Sequence, residues 1–297
     1  MSAKDLGFAL LVILVWGLNF VVIRVGLDDL PPMLLGAMRF TLAAIPAVFF
    51  IRRPKIPLRW LLAYGLTISF GQFAFLFSAM TVGMPAGLAS LVLQSQAFFT
   101  LLFAAMVLGE QVRMHNLIGL CVAAGGLLLI GLNSGIGMTL AGFVLTICAA
   151  AMWAMGNVIT KRVGKVDLVS LVVWGSLVPP LPFLAMSLLL EGPQQIGQAL
   201  ENISLNAVFA LFYLAFGATL LGYGLWSRLL SRYPAAQVAP FSMLVPVIGL
   251  SSAALLLDEQ LSQLQAFGTI LVMTGLAINV FVGRRRKLAA TTASPNH

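Results

Sequence analysis

The residues best suited to chemistry in this sequence are aromatic and neutral polar side chains that interrupt long apolar segments. Trp16 precedes Asn19 by three residues, a spacing that places both on one face of a helix. Trp153 and Asn157 repeat this pairing with a spacing of four. Indole and amide groups can hydrogen-bond both ends of a zwitterion without carrying a fixed charge. We therefore predict a solute cavity lined by nine residues: Trp16, Asn19, Arg39, Gln72, Gln94, Trp153, Asn157, Tyr223 and Trp226.

Each of these residues also has a purely structural interpretation. Asn, Gln, Ser and Thr commonly hydrogen-bond one membrane helix to another, and large aromatic residues fill the space between helices. Helix geometry adds a restriction, because Gln94 and Gln96 would point about 200° apart. We therefore expect that these two glutamines do not line the same cavity.

Arg39 is the most costly of the nine residues, since an arginine at the centre of a membrane helix costs roughly 3 kcal/mol on insertion scales. One interpretation makes it an anchor for a solute carboxylate, or a gate residue that pairs with an acid. The candidate acids are Asp28, Asp29 and Glu259. In the other interpretation its guanidinium extends toward the membrane surface or bonds carbonyl groups at a helix end. The sequence leaves both interpretations open.

Four further residues lie where the apolar segments end or break. Glu110 and Glu259 each close a segment, where an exposed carboxylate costs little, and we interpret them as helix caps or gate contacts. Pro240 and Pro246 interrupt the ninth apolar segment, and proline there bends a helix or frees carbonyl groups. A static kink is the structural alternative for both prolines.

Several kinds of chemistry are excluded. The sequence has no Gly-x-x-x-x-Gly-Lys-Ser/Thr motif, so the chain is not itself an ATP-driven pump, and no ATPase subunit is implied. His115 lies at a loop where the fifth apolar segment begins, His297 lies at the terminus, and no pair of aspartates lies within a segment, which argues against an intramembrane enzyme. Cys121 and Cys148 lie in apolar segments and predict neither a disulfide nor a metal site. We expect no catalytic residue, no metal and no cofactor.

The elements that must position the polar residues are membrane helices. Hydrophobic residues make up 60% of the 297 positions, charged residues only 9%, and the mean hydropathy is +1.02. Soluble domains carry about 25% charged residues. The net charge of +8 does not indicate nucleic-acid binding, because the basic residues stand in small groups between apolar segments and form no basic, aromatic face.

The apolar segments predict an all-α integral membrane protein with ten transmembrane helices. The predicted spans are 6–25, 32–51, 59–80, 86–108, 115–132, 138–160, 168–190, 206–229, 236–257 and 263–283. All of the 17 Lys and Arg residues except Arg24 and Arg39 then fall on the side of the N-terminus. The positive-inside rule therefore predicts that both termini are cytoplasmic.

The two halves of the sequence also resemble each other. Asn19 and Asn157 each precede an Arg-Val-Gly sequence by the same distance, at a separation of 138 residues. Further along, the separation is 149 residues for the pairs Tyr64 and Tyr213, Ser78 and Ser227, Pro85 and Pro234, Glu110 and Glu259, Gly119 and Gly268, and Gly126 and Gly275. Because each half holds five spans, an odd number, the second half crosses the membrane in the opposite direction. Such inverted repeats are typical of secondary transporters, which hold their solute near the membrane midplane.

With these features the sequence resembles the EamA family of the drug/metabolite transporter superfamily along nearly its whole length. The residues that carry the resemblance are 15–20 (VWGLNF), 64–70 (YGLTISF), 83–94 (GMPAGLASLVLQ) and 252–259 (SAALLLDE). The resemblance implies one EamA repeat at 1–133, a second at 138–283, and a basic, disordered cytoplasmic tail at 284–297. It implies a cavity between the helices of both halves and a multi-pass location in the bacterial cytoplasmic (inner) membrane.

Within this family the resemblance is to exporters of amino-acid metabolites of the O-acetylserine and cysteine type. It implies a secondary transporter that exports small amino acids and related metabolites by alternating access, with a small amino-acid-like solute and the lipid bilayer as its partners. One alternative is export of another neutral or aromatic metabolite or drug. An intramembrane enzyme and a receptor or assembly factor are the remaining alternatives, and the short loops argue against the last.

Overall fold

The computed structural model describes residues 1–134 and 137–282, and the chain forms helices and no strands within these residues. The predicted tail at 284–297 lies outside the described residues. In chain order the described helical regions are Ala3–Asp29 (α1), Pro32–Val48 (α2), Leu58–Thr81 (α3), Ala86–Leu108 (α4), Met114–Leu132 (α5), Leu140–Val163 (α6), Leu168–Glu201 (α7), Leu205–Arg232 (α8), the consecutive helices Ala235–Ser242 and Val245–Leu256 (α9), and Gln263–Phe281 (α10). Eight of them are long and apolar enough to cross a membrane, whereas α2 and the apolar part of α9 are shorter.

Polar residues mark where several of these helices begin. The Ser2 hydroxyl accepts a hydrogen bond from the Asp5 amide at the start of α1. At the start of α10, Ser262 and Gln265 form a reciprocal capping box. These side chains satisfy amide groups that have no partner within the first turn of a helix.

The predicted spans 168–190 and 206–229 leave residues 191–205 as a loop, and the structure corrects this expectation. Residues Gly192–Glu201 form a helix at the end of α7. Gly192 has a φ of +78°, which lets the chain change direction, and Pro193 then occupies the first turn, where it lacks only an amide that would be unpaired anyway. Ile196 and Ala199 pack on the core while Gln194, Gln195 and Gln198 are exposed, so the segment is an amphipathic surface helix.

Contacts between helix ends and loops define two ends of the helix bundle. At the end that we call the basic end, Lys161 pairs with Glu110, and Tyr233 donates a hydrogen bond to Asp5. At the end that we call the acidic end, Glu191 accepts from the amides at the start of α2, and Glu259 accepts from those at the start of α4. Both ends therefore connect residues from the first and second halves of the chain.

The side chains divide between a packed interior and an apolar outer surface. Leu76, Phe77 and Phe183 are fully buried, and Phe183 contacts both Phe40 and Phe70. Many large apolar side chains on the outside of the bundle are exposed, including Phe50 at 86%. A soluble protein rarely exposes so much contiguous apolar surface, whereas lipid covers it without cost.

Candidate solute cavity

A cavity of about 370 Å³ lies between α1–α4 and α6–α9. This volume is at the lower end of the range of about 300–1,000 Å³ that is usual for small-molecule sites. Asn19, Arg39 and Gln72 are buried in its wall, whereas Thr160, Leu168 and Leu230 are partly exposed where their helices approach the basic end. The cavity therefore opens toward the basic end.

The nine residues predicted from the sequence all line this one cavity, although they come from α1, α2, α3, α4, α6 and α8: Trp16, Asn19, Arg39, Gln72, Gln94, Trp153, Asn157, Tyr223 and Trp226. Their contact with a solute stays a prediction. The cavity has further polar lining residues that the prediction did not select: Tyr64, Ser90, Gln96, Thr160 and Ser242. Tyr64 had a usable signal in the sequence, because it has a repeat counterpart in Tyr213.

Arg39 is buried in α2, with 3% of its surface exposed. Its Nη2 donates a hydrogen bond of 3.3 Å to the hydroxyl of Thr219, and its guanidinium lies 4.1 Å from the centre of the Phe73 ring. The aromatic face supplies a favourable cation–π contact. Within the described residues, Nε and Nη1 have no hydrogen-bond partner. The guanidinium is thus held in position with donors to spare at the cavity.

Two of the expectations for Arg39 do not hold in this conformation. Asp28 pairs with Arg24 at 3.4 Å, and Glu259 accepts from the amides of Ala86 and Gly87, so neither acid reaches Arg39. The arginine also does not extend to the surface or bond helix-end carbonyls, because it points between α3 and α8. A buried cation without an acidic partner among the described residues is available to an anion from outside the chain.

Two buried amides also line the cavity. Asn19 is 8% exposed and Gln72 is 3% exposed. The side-chain oxygens Asn19 Oδ1 and Gln72 Oε1 have no hydrogen-bond partner within the described part of the chain. Because buried polar atoms are nearly always hydrogen-bonded, these two acceptors and the donors of Arg39 leave hydrogen-bonding capacity in the cavity lining that a polar solute can use.

An aromatic cluster also lines the cavity. The Trp16 ring lies 5.2 Å from Tyr223 and 5.4 Å from Trp226, measured between ring centres. The indole N–H of Trp16 donates a 3.0 Å hydrogen bond to the carbonyl of Ala218. This bond fixes the tryptophan against α8, and the cluster offers an apolar surface for the side chain of a solute.

A π-helical segment interrupts each of α3 and α8 where they approach the cavity, and the sequence did not predict either one. The segments are Gly65–Gly71 and Tyr213–Leu221. The wider turn changes the direction of the side chains, and such segments are frequent at functional sites. One sequence feature is common to both segments: Tyr64 directly precedes the first, and Tyr213 begins the second. The two tyrosines are separated by 149 residues, as in the repeat.

The expectation that Gln94 and Gln96 cannot share a cavity is wrong. Gln94 Nε2 donates to the carbonyl of Ser242, whereas Gln96 Oε1 accepts from Asn157 Nδ2 at 2.8 Å. The two side chains do point in different directions, toward α9 and α6, but the cavity reaches both flanks of α4. The assumption that only one face of α4 can line the cavity was therefore wrong.

The predicted gate or structural residues lie around the cavity. Glu259 caps α4 at the acidic end, with bonds of 2.7 Å from Ala86 and 2.9 Å from Gly87. Glu110 forms an exposed pair with Lys161 at 2.8 Å. Pro240 lies inside the first helix of α9 and Pro246 in the first turn of the second, on either side of a break that adjoins the cavity. Their roles in gating stay predictions.

Replacing Trp16 with Phe is expected to lower the free energy of unfolding by about 1 kcal/mol, because the Ala218 carbonyl loses its indole donor. The melting temperature of the purified protein in detergent measures this loss. Trp60→Phe is the matched control, since the Trp60 indole has no hydrogen bond in the described structure and only lies near Arg59. Equal shifts for the two variants would contradict the assignment.

Membrane-length helices surround a solute-sized cavity that is lined by apolar, aromatic and polar side chains, which is the arrangement of a polytopic membrane transporter. Within residues 1–134 and 137–282, no group of three His, Cys, Asp or Glu side chains is placed to hold a metal ion. The chain belongs to the EamA-like transporter family, whose sequence profile matches residues 4–132 and again residues 140–281. It is a multi-pass protein of the inner membrane, and its family makes it a transporter and not an enzyme.

Relatives from two enteric bacteria are similar along their whole length. A "probable amino-acid metabolite efflux pump" of Salmonella typhimurium is 54% identical over 296 residues, which cover 97% of this chain and 99% of the relative. The protein with the same description from Escherichia coli strain K12 is 52% identical over 293 residues, covering 97% and 98%. A solved crystal structure that is 20% identical superposes with a TM-score of 0.64 over 96% of this chain and 98% of that one, which shows a shared fold.

Proposed function

We propose that this chain exports small amino acids and related metabolites, of the O-acetylserine and cysteine type, across the cytoplasmic membrane by alternating access. The observation that carries the proposal is the cavity, which is of solute size, lined by amide, hydroxyl and indole groups, and open toward one end of the bundle. The description of two relatives as amino-acid metabolite efflux pumps supports the solute class.

Alternating access requires two halves that can exchange conformations, and we propose ten crossings arranged as two inverted repeats. Three observations support this arrangement. The family profile matches the chain twice. The third helix of each half contains a π-helical segment, at corresponding positions. Gly119 faces Gly275 while Gly126 faces Gly268, so that the contacts between α5 and α10 are unchanged when the halves are exchanged.

The proposed orientation places the basic end in the cytoplasm, as the positive-inside rule predicts. The cavity opens to that end. At the acidic end α4 and α9 are in close contact, because a methyl group added at Gly249 would collide with Ser90 and one at Gly87 would lie 3.2 Å from Ala253. The described conformation is therefore the one that takes up a solute from the cytoplasm.

The two repeat-related glutamates support a specific form of this exchange. Glu259 caps α4 at the closed acidic end. Its counterpart Glu110 is paired with Lys161 at the open basic end. In the repeat, Pro234-Ala235 at the start of α9 corresponds to Pro85-Ala86 at the start of α4. The start of α9 is therefore the site that corresponds, for Glu110, to the one that Glu259 caps. In the outward-open state we expect Glu110 to cap the start of α9 and Glu259 to release α4. A carboxylate at a helix N-terminus is stabilising in either position.

The aromatic cluster favours a second candidate, export of aromatic or other neutral metabolites or drugs. Trp16, Tyr223 and Trp226 offer a broad apolar surface within the cavity. An aromatic solute would stack on this surface. The two candidates differ in whether a small polar amino acid or an aromatic compound is the better substrate.

Flux through proteoliposomes tests the proposal. We expect efflux of labelled O-acetylserine and cysteine at rates well above those of protein-free liposomes, and slower efflux of tryptophan and phenylalanine. Thr160→Trp places a bulky side chain at the cavity mouth and is expected to slow this flux. Met155→Trp is the matched control, because Met155 lies on the same helix with 43% exposure and outside the cavity lining. Faster flux of aromatic solutes would favour the second candidate, and absence of flux for every amino-acid metabolite would refute the first.

A further inference from the structure

We infer that Arg39, Asn19 and Gln72 form a binding site for the charged headgroup of an α-amino acid, with Arg39 holding the carboxylate and the two amide oxygens holding the ammonium group. This inference rests on the proposed function and names the part of the solute that the cavity selects. Each of the three residues lines the cavity, and each is more than nine-tenths buried.

The chemistry of the unpaired atoms is complementary to a zwitterion. Nε and Nη1 of Arg39 are buried donors without a partner in residues 1–134 and 137–282, and a carboxylate offers acceptors of opposite charge. Asn19 Oδ1 and Gln72 Oε1 are buried acceptors without a partner, and an ammonium group offers three donors. A solute that lacks either charged group leaves one of these sets unsatisfied, which is the costly outcome in a buried site.

Fixed neighbours hold the headgroup site in place. The hydroxyl of Thr219 accepts from Arg39 and itself donates to the carbonyl of Leu214 at 2.8 Å. Phe73, which follows Gln72 in the sequence, lies against the guanidinium face. Arg39 therefore keeps its position when the site is empty, so a carboxylate finds the donors already oriented.

The internal repeat shows that the fold does not require these polar residues. At a separation of 138 residues Arg39 corresponds to Leu177, and at 149 residues Gln72 corresponds to Leu221. The same helix positions are thus apolar in the second half. Asn19 corresponds to Asn157, but Asn157 donates to both Gln96 and Thr100 and lies near the cavity mouth. Among the described residues the unpaired set occurs in the first half, which favours a role in recognising a solute over a role in helix packing.

The test compares competitors for counterflow of labelled cysteine in proteoliposomes under reducing conditions. The competitors are S-methylcysteine, its carboxamide and its N-acetyl derivative, which remove the carboxylate charge and the ammonium charge in turn. Wild-type protein is expected to bind each masked compound about 10- to 100-fold more weakly than S-methylcysteine, the ratio typical of a lost hydrogen bond to a charged group. Equal competition by all three compounds, with flux intact, overturns the headgroup site and leaves the proposed function standing. Absence of cysteine flux, with no thermal stabilisation of the purified protein by S-methylcysteine, refutes the proposed function itself.

Variants assign the two halves of the site. Arg39→Gln is expected to abolish the preference for the acid over its carboxamide while keeping the preference over the N-acetyl compound, and Arg39→Lys is expected to restore part of it. Asn19→Leu and Gln72→Met are expected to show the opposite pattern. Met155→Leu is the control, since Met155 lies outside the cavity lining, and it is expected to keep both preferences. The same loss of preference in variants at all four positions would overturn the assignment. If a variant does not fold, the competition of the three compounds for the wild-type protein still tests the headgroup site.

Discussion

Replacing Glu259 with Gln is expected to open the cavity toward the acidic end and to reduce its opening at the basic end. Glu259 accepts bonds from the amides of Ala86 and Gly87, and its charge lies at the positive end of α4. Glutamine has nearly the same shape, but it lacks the charge and one acceptor. Hydrogen bonds to charged groups contribute about 1.5–3 kcal/mol, so the ratio of the two conformations should shift by about 10- to 100-fold.

Thiol accessibility from each side of the membrane measures this shift. In a chain without Cys121 and Cys148, Ser90→Cys reports on the contact between α4 and α9 at the acidic end, and Thr160→Cys reports on the mouth at the basic end. With Glu259→Gln, an impermeant thiol reagent should label position 90 faster from the acidic side and position 160 more slowly from the basic side.

Glu110→Gln is the matched control, because Glu110 is the repeat counterpart of Glu259 but forms only an exposed pair with Lys161 in this conformation. Such exposed pairs contribute about 0–1 kcal/mol. If Glu110 caps α9 in the other state, its replacement should favour the basic-end-open conformation and leave position 90 protected from reagent on the acidic side. Identical changes in labelling for both glutamate variants would contradict the exchange of caps between the two ends.

The sequence predicted the composition of the cavity better than its internal contacts. Trp16 with Asn19, and Trp153 with Asn157, were recognised because polar residues in apolar helices are few and helical spacing assigns them to faces. All four line the cavity. The partners of Arg39 were not predictable, because Thr219 and Phe73 approach it from distant helices and no local pattern connects them.

The errors in the prediction have a common physical cause. The restriction on Gln94 and Gln96 assumed that a cavity touches one face of a helix, whereas this cavity reaches two flanks of α4. The helix Gly192–Glu201 was taken for a loop because it is too polar and too short to cross a membrane. The π-helical segments depend on the packing of α3 and α8 against other helices, and hydropathy does not record that packing. In each case tertiary contacts decided what sequence periodicity left open.

Replacing Gly126 with Ala is expected to destabilise the protein by about 1–3 kcal/mol, the usual cost of overpacking. In the structure α5 and α10 run against each other with glycines at their contact, and a Cβ at position 126 would lie 2.6 Å from the backbone oxygen of Gly268. A backbone atom cannot move aside as a side chain can, so the two helices must separate. Small residues at such contacts let membrane helices approach closely, and their loss weakens association directly.

Gly125→Ala provides the control for this variant, because a Cβ at position 125 meets no atom within 4 Å although it lies on the same helix. Alanine is favoured over glycine in a helix by about 1 kcal/mol, so Gly125→Ala should leave the melting temperature unchanged or raise it. The melting temperature of the detergent-solubilised protein separates the two variants, and a loss of the same size in both would assign the effect to the helix and not to the contact. The α5–α10 contact is unchanged when the two halves are exchanged, and the described cavity is lined only by α1–α4 and α6–α9. Gly126→Ala should therefore reduce stability without changing which end of the cavity is open.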